Sequence, residues 1–429
     1  MLAAAEAHGV AALERCLPRD HPIVHATAAP APRVAPAQPR ENKSGVVGGG
    51  SSGKPRAVLG VRGHRYYPGG HYVPTFPRIG LGESMLATER QGRESADERA
   101  TSGRRMAALD LGTNNCRLLV AEPTGDGFRV VDSFSRIVRL GEGLAATGDL
   151  GEPAIQRTLA ALKVCRRIMD RHRVARARSV ATEACRRARN GPDFVRLARR
   201  VAGIDLEVLG HEEEARLAML GCLPLIDPQA DRLLMLDIGG GSTEIMWVDR
   251  REVPVGREPG YTLSMPLGVV TLSESFGGRD PSAYERMVAH ATEQLAGAER
   301  FPASARAQNG PSLQMLGTSG TVTTLAAVHL GLRRYDRRKV DGLSLPFSVI
   351  HNVSRMLREL DEASRAAHPC IGHDRADLVV AGCAILEAVH NCWPVEQLRV
   401  ADRGLREGIL HGLLGHALRP ALLRDGMVL

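Results

Sequence analysis

The stretch Leu233 to Asp249, LLMLDIGGGSTEIMWVD, constrains this chain more than any other. An apolar run ends at Asp237, three glycines and two hydroxyl residues follow, and a second apolar run begins at Glu244, the pattern of strand, tight turn and strand. Lacking a Cβ, Gly239, Gly240 and Gly241 let their backbone N–H groups approach an oxyanion, and Ser242 and Thr243 add hydroxyl donors. Asp237 and Glu244 flank the turn, and two carboxylates repel a phosphate unless a hard divalent cation lies between; Mg²⁺ suits oxygen ligands of this kind. Read alone, the stretch fits an ordinary glycine-rich hairpin equally well.

A second copy changes that balance. Ala108 to Glu122, ALDLGTNNCRLLVAE, aligns without a gap, Asp110 on Asp237, Gly112 on Gly239, and Leu118, Leu119 and Val120 on Ile245, Met246 and Trp247. Internal similarity of this kind predicts two related lobes, each presenting a phosphate-binding hairpin to a cleft between them. A third glycine turn, GTSGTVTTLAAV from Gly317 to Val328, joins a strand to a helix start, where exposed N–H groups favour an anion.

The rest of the chain alternates strands and helices. Phe128 to Leu144 reads as two further strands ending in a glycine loop, Pro153 to Arg173 as an amphipathic helix, and Ala177 to Thr182 as a strand delivering Glu183. Helices are expected at EACRRARN, from Pro192 to about Val201 and from Glu212 to Leu223, with a strand at Leu206 to Leu209 between them. Glu212, Glu213 and Glu214 stand in a first helical turn, where the helix dipole alone accounts for them and where one facing a cleft would serve as a general base. After a linker at Pro224, Asp227 and Pro228 come the central hairpin, MPLGVVTLSESF, and a helix from about Pro281 to Glu299. A strand at Leu313 to Leu316, helices near Ser348 to Glu362 and Ala376 to Cys392, a strand at Gln397 to Ala401 and a closing helix from Gly404 to Leu418 complete the second lobe. The expected domains are a tail over 1–105, lobes over 106–223 and 224–420, and a short tail over 421–429.

Residues 1–105 hold ten of the 25 prolines, the run GGGSSG and many charges, a composition that buries too little surface to offset ordering entropy, so this tail is expected to be disordered. Its cluster of His64, Tyr66, Tyr67, His71 and Tyr72 has no recognisable ligand spacing, and Met106 is a second candidate start. The net charge of +8 raises the question of nucleic acid, but arginine dominates over four lysines as in a GC-rich genome, and only 3% aromatic residues leave no stacking platform. No nucleic-acid partner is expected. Eight cysteines without a CxxC pair, no secretory signal and no apolar stretch of spanning length point to a soluble protein of the reducing cytoplasm.

Nine motifs in order, ALDLGTNN, RLGEGL, ATEACRRARN, EEEARL, DIGGGSTE, MPLGVVTLSE, GTSGT, VDGLSL and VADRGLREG, cover Met106 to about Arg419. In them the chain resembles the exopolyphosphatase and guanosine pentaphosphate phosphatase family, within the actin, heat-shock ATPase and sugar kinase superfamily. The resemblance implies an α/β fold of two ribonuclease-H-like, actin-like lobes around a cleft. It also implies Mg²⁺-dependent release by water of a terminal phosphate from inorganic polyphosphate, or of the 5′-phosphate of guanosine pentaphosphate, and suggests a homodimer. By position it makes Glu214 the general base and Asp237 and Glu244 the metal carboxylates. Phosphate contacts fall on Thr113, Asn114, Arg186, Gly239, Gly240, Gly241, Ser242, Gly317, Thr318, Ser319 and Gly320, with Asp110 and Glu183 as further candidates. Asp402 and Arg403 read as a lobe-closing ion-pair motif.

Two departures stand out. Asn115 replaces a small hydroxyl of the family's first turn, and His211 stands where a glycine is common. The chain also stops soon after the second lobe, without the helical phosphohydrolase-type domain of longer relatives, so a weak hold on very long polyphosphate is expected. The competing readings are an ATP-dependent kinase of the same superfamily, against which the carboxylates at EEEARL and STE argue, and a sensor that binds polyphosphate or the alarmone without cleaving it.

Overall fold

The computed structural model describes residues 105–125, 127–250, 260–277, 282–302 and 312–415. The expected tails, apart from Arg105, lie outside the described residues. The chain first forms β1 (Met106–Leu111), β2 (Asn115–Thr124), β3 (Gly127–Ile137), α1 (Glu152–Arg171), β4 (Arg176–Ala181), α2 (Glu183–Arg187), α3 (Gly191–Ala202), β5 (Glu207–Val208) and α4 (His211–Cys222). There follow β6 (Arg232–Ile238), β7 (Thr243–Asp249), β8 (Tyr261–Met265), α5 (Val269–Phe276), α6 (Ala283–Gln294), β9 (Leu313–Thr318), α7 (Ser319–His329), β10 (Ser344–Pro346), α8 (Phe347–Glu359), α9 (Val379–Cys392), β11 (Gln397–Ala401) and α10 (Leu405–Leu413).

The internal repeat becomes two sheets of one design. The first runs β3-β2-β1-β4-β5 and the second β10-β11-β9-β6-β7-β8. In each, a three-strand antiparallel meander (β1–β3, β6–β8) is extended on its first strand by parallel partners, β4 and β5 in one case and β9 and β11 in the other. These are the two actin-like lobes that the motifs imply. β6 is apolar on both faces, with Leu233, Leu234, Met235 and Leu236 fully buried, as a sheet covered on both sides demands. Each such side chain contributes about 1.5–3 kcal/mol by leaving water.

Helix signals place the covering layer. α1 begins with Pro153 in its first turn and buries Ile155, Leu159, Leu162, Cys165 and Met169 along one stripe. α3 ends at Gly203, whose φ of 64° needs no Cβ to be tolerated. α4 serves both sheets, with Leu217 in the cluster of Met106, Ala108 and Leu119, and Ala215, Ala218, Met219 and Cys222 in that of Leu233, Met235 and Met246. α10 lies against it so closely that a Cβ on Gly408 would fall 1.9 Å from the Leu217 carbonyl oxygen.

Two expectations are corrected. Phe128 to Leu144 forms one strand, because its second half folds over the first turn instead of pairing: Val138 N and Arg139 N both donate to Asn114 O, Gly141 N donates to Thr113 O, and Arg139 takes a left-handed φ of 47°. The closing helix buries Ile409 and Leu410 in the first sheet's cluster, so the described part of the last segment covers the first lobe rather than completing the second. Among the described residues, no helix is long and apolar enough to cross a membrane.

Candidate active site

The two glycine turns project from equivalent places in the two sheets and touch. A Cβ on Gly240 would lie 3.1 Å from Asn114 N, and one on Gly241 would lie 2.5 Å from Thr113 Oγ1 and 3.1 Å from Glu183 Cγ. These two glycines are therefore required by the close contact between the lobes. The registers match too: Asp110 stands opposite Arg117 in the first hairpin, and Asp237 opposite Glu244 in the second.

A carboxylate cluster lies beside the second turn. β4 delivers Glu183 to the start of α2, and Glu214 follows from the first turn of α4. Arg186 holds them together, its Nη2 donating to Glu183 Oε2 at 2.8 Å and its Nη1 to Glu214 Oε2 at 3.0 Å and to the Leu209 carbonyl at 2.6 Å. Expected on phosphate, Arg186 in this arrangement directs these donors to carboxylates and a carbonyl. Glu244, only 2% exposed, accepts from Ser264 Oγ at 3.1 Å, and the same hydroxyl lies 2.7 Å from His211 Nδ1. His211, the departure at the head of α4, thus meets the cluster through Ser264, its strand partner being Glu244.

Crowding of acids raises their proton affinity. Burial, then the Glu244 charge, pushes the Glu214 carboxyl well above the usual range, with Arg186 opposing. Burial and Glu244 push Asp237 up to about 7, while a hydrogen bond from Ser319 and the charge of Arg117 act the other way. Asp110 is raised by burial, against Arg117 and Arg406. Oxygen donors this close together, short of positive charge, are chemically suited to a hard cation. Among the described residues no group of three such side chains is arranged to hold an ion, so the remaining ligands of one at Asp237 and Glu244 would come from elsewhere.

Beside the second turn, a cleft runs between Asn114, Asn115 and Arg117 of the first lobe and Gly239, Gly240, Ser319, Gly320 and Arg375 of the second. Asp237 links cleft and cluster, through Ser319 on one side and Glu244 and Glu214 on the other. Ser319 holds a left-handed φ of 79°, rare for a residue with a side chain and common at sites that need one direction fixed. The Oδ1 atoms of Asn114 and Asn115 are buried without a partner, so the first turn presents amide groups with unmet hydrogen bonds. Gly317 and Thr318 do not face the cleft. A Cβ on Gly317 would meet Val322 and Leu398, and the Thr318 hydroxyl donates to the Arg403 carbonyl at 2.6 Å. Thr113 and Ser242 are buried, Thr113 at the contact between the turns.

Sequence reasoning missed Arg117, Arg375 and Ser264. Arg117 was legible in the repeat, as the residue aligned with Glu244; Arg375 and Ser264 carry no signal of their own. The cleft's rim is tied by Arg139, whose guanidinium donates to both Asp377 oxygens at 3.0 and 3.1 Å, and by Gly143 N, which donates to Glu274 Oε1 at 3.0 Å. Arg403 pairs with Asp341, and Asp402 pairs with Arg337 and accepts from the Tyr335 hydroxyl, so the expected closing motif makes its ion pairs within the second lobe.

The chain is similar to known proteins. Exopolyphosphatase 2 of Mycobacterium tuberculosis is 30% identical over 326 residues, 72% of this chain and 99% of its own length. A putative exopolyphosphatase of Haemophilus influenzae is 27% identical over 319 residues, 72% of this chain and 91% of that one. Among solved structures, the Aquifex aeolicus member of the Ppx/GppA family superposes with a TM-score of 0.61 at 28% identity, covering 74% of this chain and 99% of its own. An exopolyphosphatase from Cytophaga hutchinsonii gives 0.66 at 26%, covering 73% and 98%. With residues 119–417 matching the family as a whole, two touching glycine turns and a crowded carboxylate cluster beside them, this chain belongs to the Ppx/GppA phosphatase family.

Proposed function

We propose that this chain is a Mg²⁺-dependent exopolyphosphatase, releasing the terminal phosphate of inorganic polyphosphate by attack of water. The observation that carries this reading is Glu214, a buried carboxylate whose proton affinity is raised, beside Glu244 and Asp237 at the mouth of a phosphate turn. A carboxylate made more basic accepts a proton from water more readily, and the Arg186 contact opposes that rise and aims the group. Water oxygen bonds to the terminal phosphorus, Glu214 takes the proton, and the bridging P–O bond breaks, leaving orthophosphate and a chain one unit shorter. Mg²⁺ at Asp237 and Glu244 would supply charge neutralisation at the transferred group. Backbone N–H groups of Gly240 to Ser242 and the guanidinium groups of Arg117 and Arg375 hold the phosphates, the positioning and charge stabilisation on which phosphoryl transfer chiefly depends, while Gly239 N–H closes the turn onto the Ser242 carbonyl.

Guanosine pentaphosphate is a second substrate under the same proposal, favoured by the apolar wall of Val269, Leu378 and Val379 in the cleft, which offers a purine a dry surface. A cytoplasmic setting, in keeping with seven free buried thiols among the described residues, and a homodimer belong to the same reading. The test is phosphate release from both substrates, with and without Mg²⁺, for the intact chain and for Glu214→Gln. Metal-dependent release falling by ~10²–10⁴-fold in the variant is expected for loss of a general base. An intact chain that binds either substrate without releasing phosphate favours the sensor reading instead.

A further inference from the structure

The segment between α7 and β10 reads Arg333, Arg334, Tyr335, Asp336, Arg337, Arg338, Lys339, five cations and one acid in seven residues. Arg333, Arg338 and Lys339 are exposed, the Arg338 side chain at 91%. Two anchors fix this basic strip beside the cleft. Tyr335 donates to Asp402 Oδ2 at 2.7 Å and shares a hydrogen bond with Thr323, the neighbour of the cleft-lining Thr324. Arg337 donates to Glu407 Oε1 at 2.8 Å, at the start of α10. The next residue back, Arg406, lies within electrostatic reach of Arg117, which lines the cleft, and of Asp110, Asp402 and Glu407.

Positive charge therefore continues from the cleft outward on one side: Arg117, Arg406, Arg337, then the exposed strip. Its inner members are balanced by Asp110, Asp402 and Glu407, so they are structurally committed. The outer ones face solvent, Arg338 pairing at 3.4 Å with Asp336, the single acid of the segment. Arg139 and Asp377, by contrast, are committed to each other in an ion pair that ties the rim.

We propose that Arg333, Arg338 and Lys339 form a docking surface for the distal part of a linear polyphosphate whose terminal unit sits in the cleft. This inference rests on the exopolyphosphatase reading. The ligand is a chain of phosphates rather than a nucleic acid because the strip offers point charges and a single aromatic ring already engaged with Asp402, not a row of stacking faces. A chain reaching the strip gains grip with length, and a chain of three units lies within the cleft.

The experiment compares the intact chain with the combined variant Arg333→Glu, Arg338→Glu, Lys339→Glu, on tripolyphosphate and on long-chain polyphosphate. KM for the long chain is expected to rise ~10-fold or more, and its log–log salt dependence to flatten by roughly 2, as three phosphate contacts are lost. KM and kcat for tripolyphosphate stay as they were. An unchanged KM for the long chain overturns the proposal, and so does an equal rise for tripolyphosphate, which would put these residues' effect in the cleft. Equilibrium binding of long-chain polyphosphate, with a single-stranded DNA of equal charge as competitor, keeps the tests separate. If the intact chain releases no phosphate yet its polyphosphate binding weakens in the variant, the catalytic reading fails and the docking surface stands. If DNA binding is as tight and weakens equally, the surface is not one for polyphosphate.

Discussion

The two hairpins share a frame and differ in one charge. In the first, Asp110 faces Arg117 across the strands; in the second, at the same register, Asp237 faces Glu244. Arg117 lowers the proton affinity of both aspartates, whereas Glu244 raises that of Asp237 and of Glu214. One turn thus gathers positive charge into the cleft and the other gathers negative charge beside it. A repeated scaffold builds two opposite electrostatic environments 127 positions apart in the alignment (237 − 110) by exchanging the residue seven places after each aspartate. On our proposal the first holds phosphate and the second holds the cation and steers the base.

Making the second hairpin a copy of the first is the harshest way to break the comparison. Glu244→Arg should lower phosphate release by on the order of 10³-fold, the upper range for removing one electrostatic contact from a preorganised site, measured with polyphosphate at saturating Mg²⁺. Removing the positive partner is milder. Arg117→Ala should reduce kcat/KM by ~10²-fold, with much of the loss in KM because phosphate is held in ground and transition states alike.

The smallest effect concerns stability and has the opposite sign. A folded-state pKa of about 7 for Asp237, against an unfolded value near 3.8, means that stability present at low pH is lost as pH rises from about 4 through 7, since the unfolded chain releases this proton first. Asp237→Asn should therefore unfold at a higher temperature than the intact chain at pH 8 without divalent ions, by about 1–3 kcal/mol, and the gap should close toward pH 4. Added Mg²⁺ should raise the melting temperature of the intact chain and leave the variant nearly unmoved. A variant that gains nothing at pH 8 would show that Asp237 is not under the strain its burial implies.

Much of this was legible in the sequence because it is local. A glycine turn between two apolar runs specifies a hairpin, and its recurrence specifies a second lobe. The three carboxylates opening α4 mark where a base would stand. What escaped depends on contacts between distant segments. Nothing in the segment around Arg186 shows that its donors reach Glu183 and, from a distant helix, Glu214. Thr318 reads as part of an anion loop, yet its hydroxyl belongs to Arg403, 85 residues on. The run after Phe128 has strand composition throughout, but backbone hydrogen bonds to Thr113 and Asn114 claim its second half. α10 looks like the end of the second lobe and packs on the first because Gly221 and Gly408 allow it to lie against α4.

The division of labour between the hairpins is tested most directly by measuring Mn²⁺ binding, as a spectroscopic stand-in for Mg²⁺, to Glu244→Gln and Arg117→Ala alongside polyphosphate binding to each. The account predicts that Glu244→Gln loses most of its metal affinity, whereas Arg117→Ala keeps the metal and loses polyphosphate. Metal affinity that survives in Glu244→Gln, or that falls as far in Arg117→Ala, would contradict it.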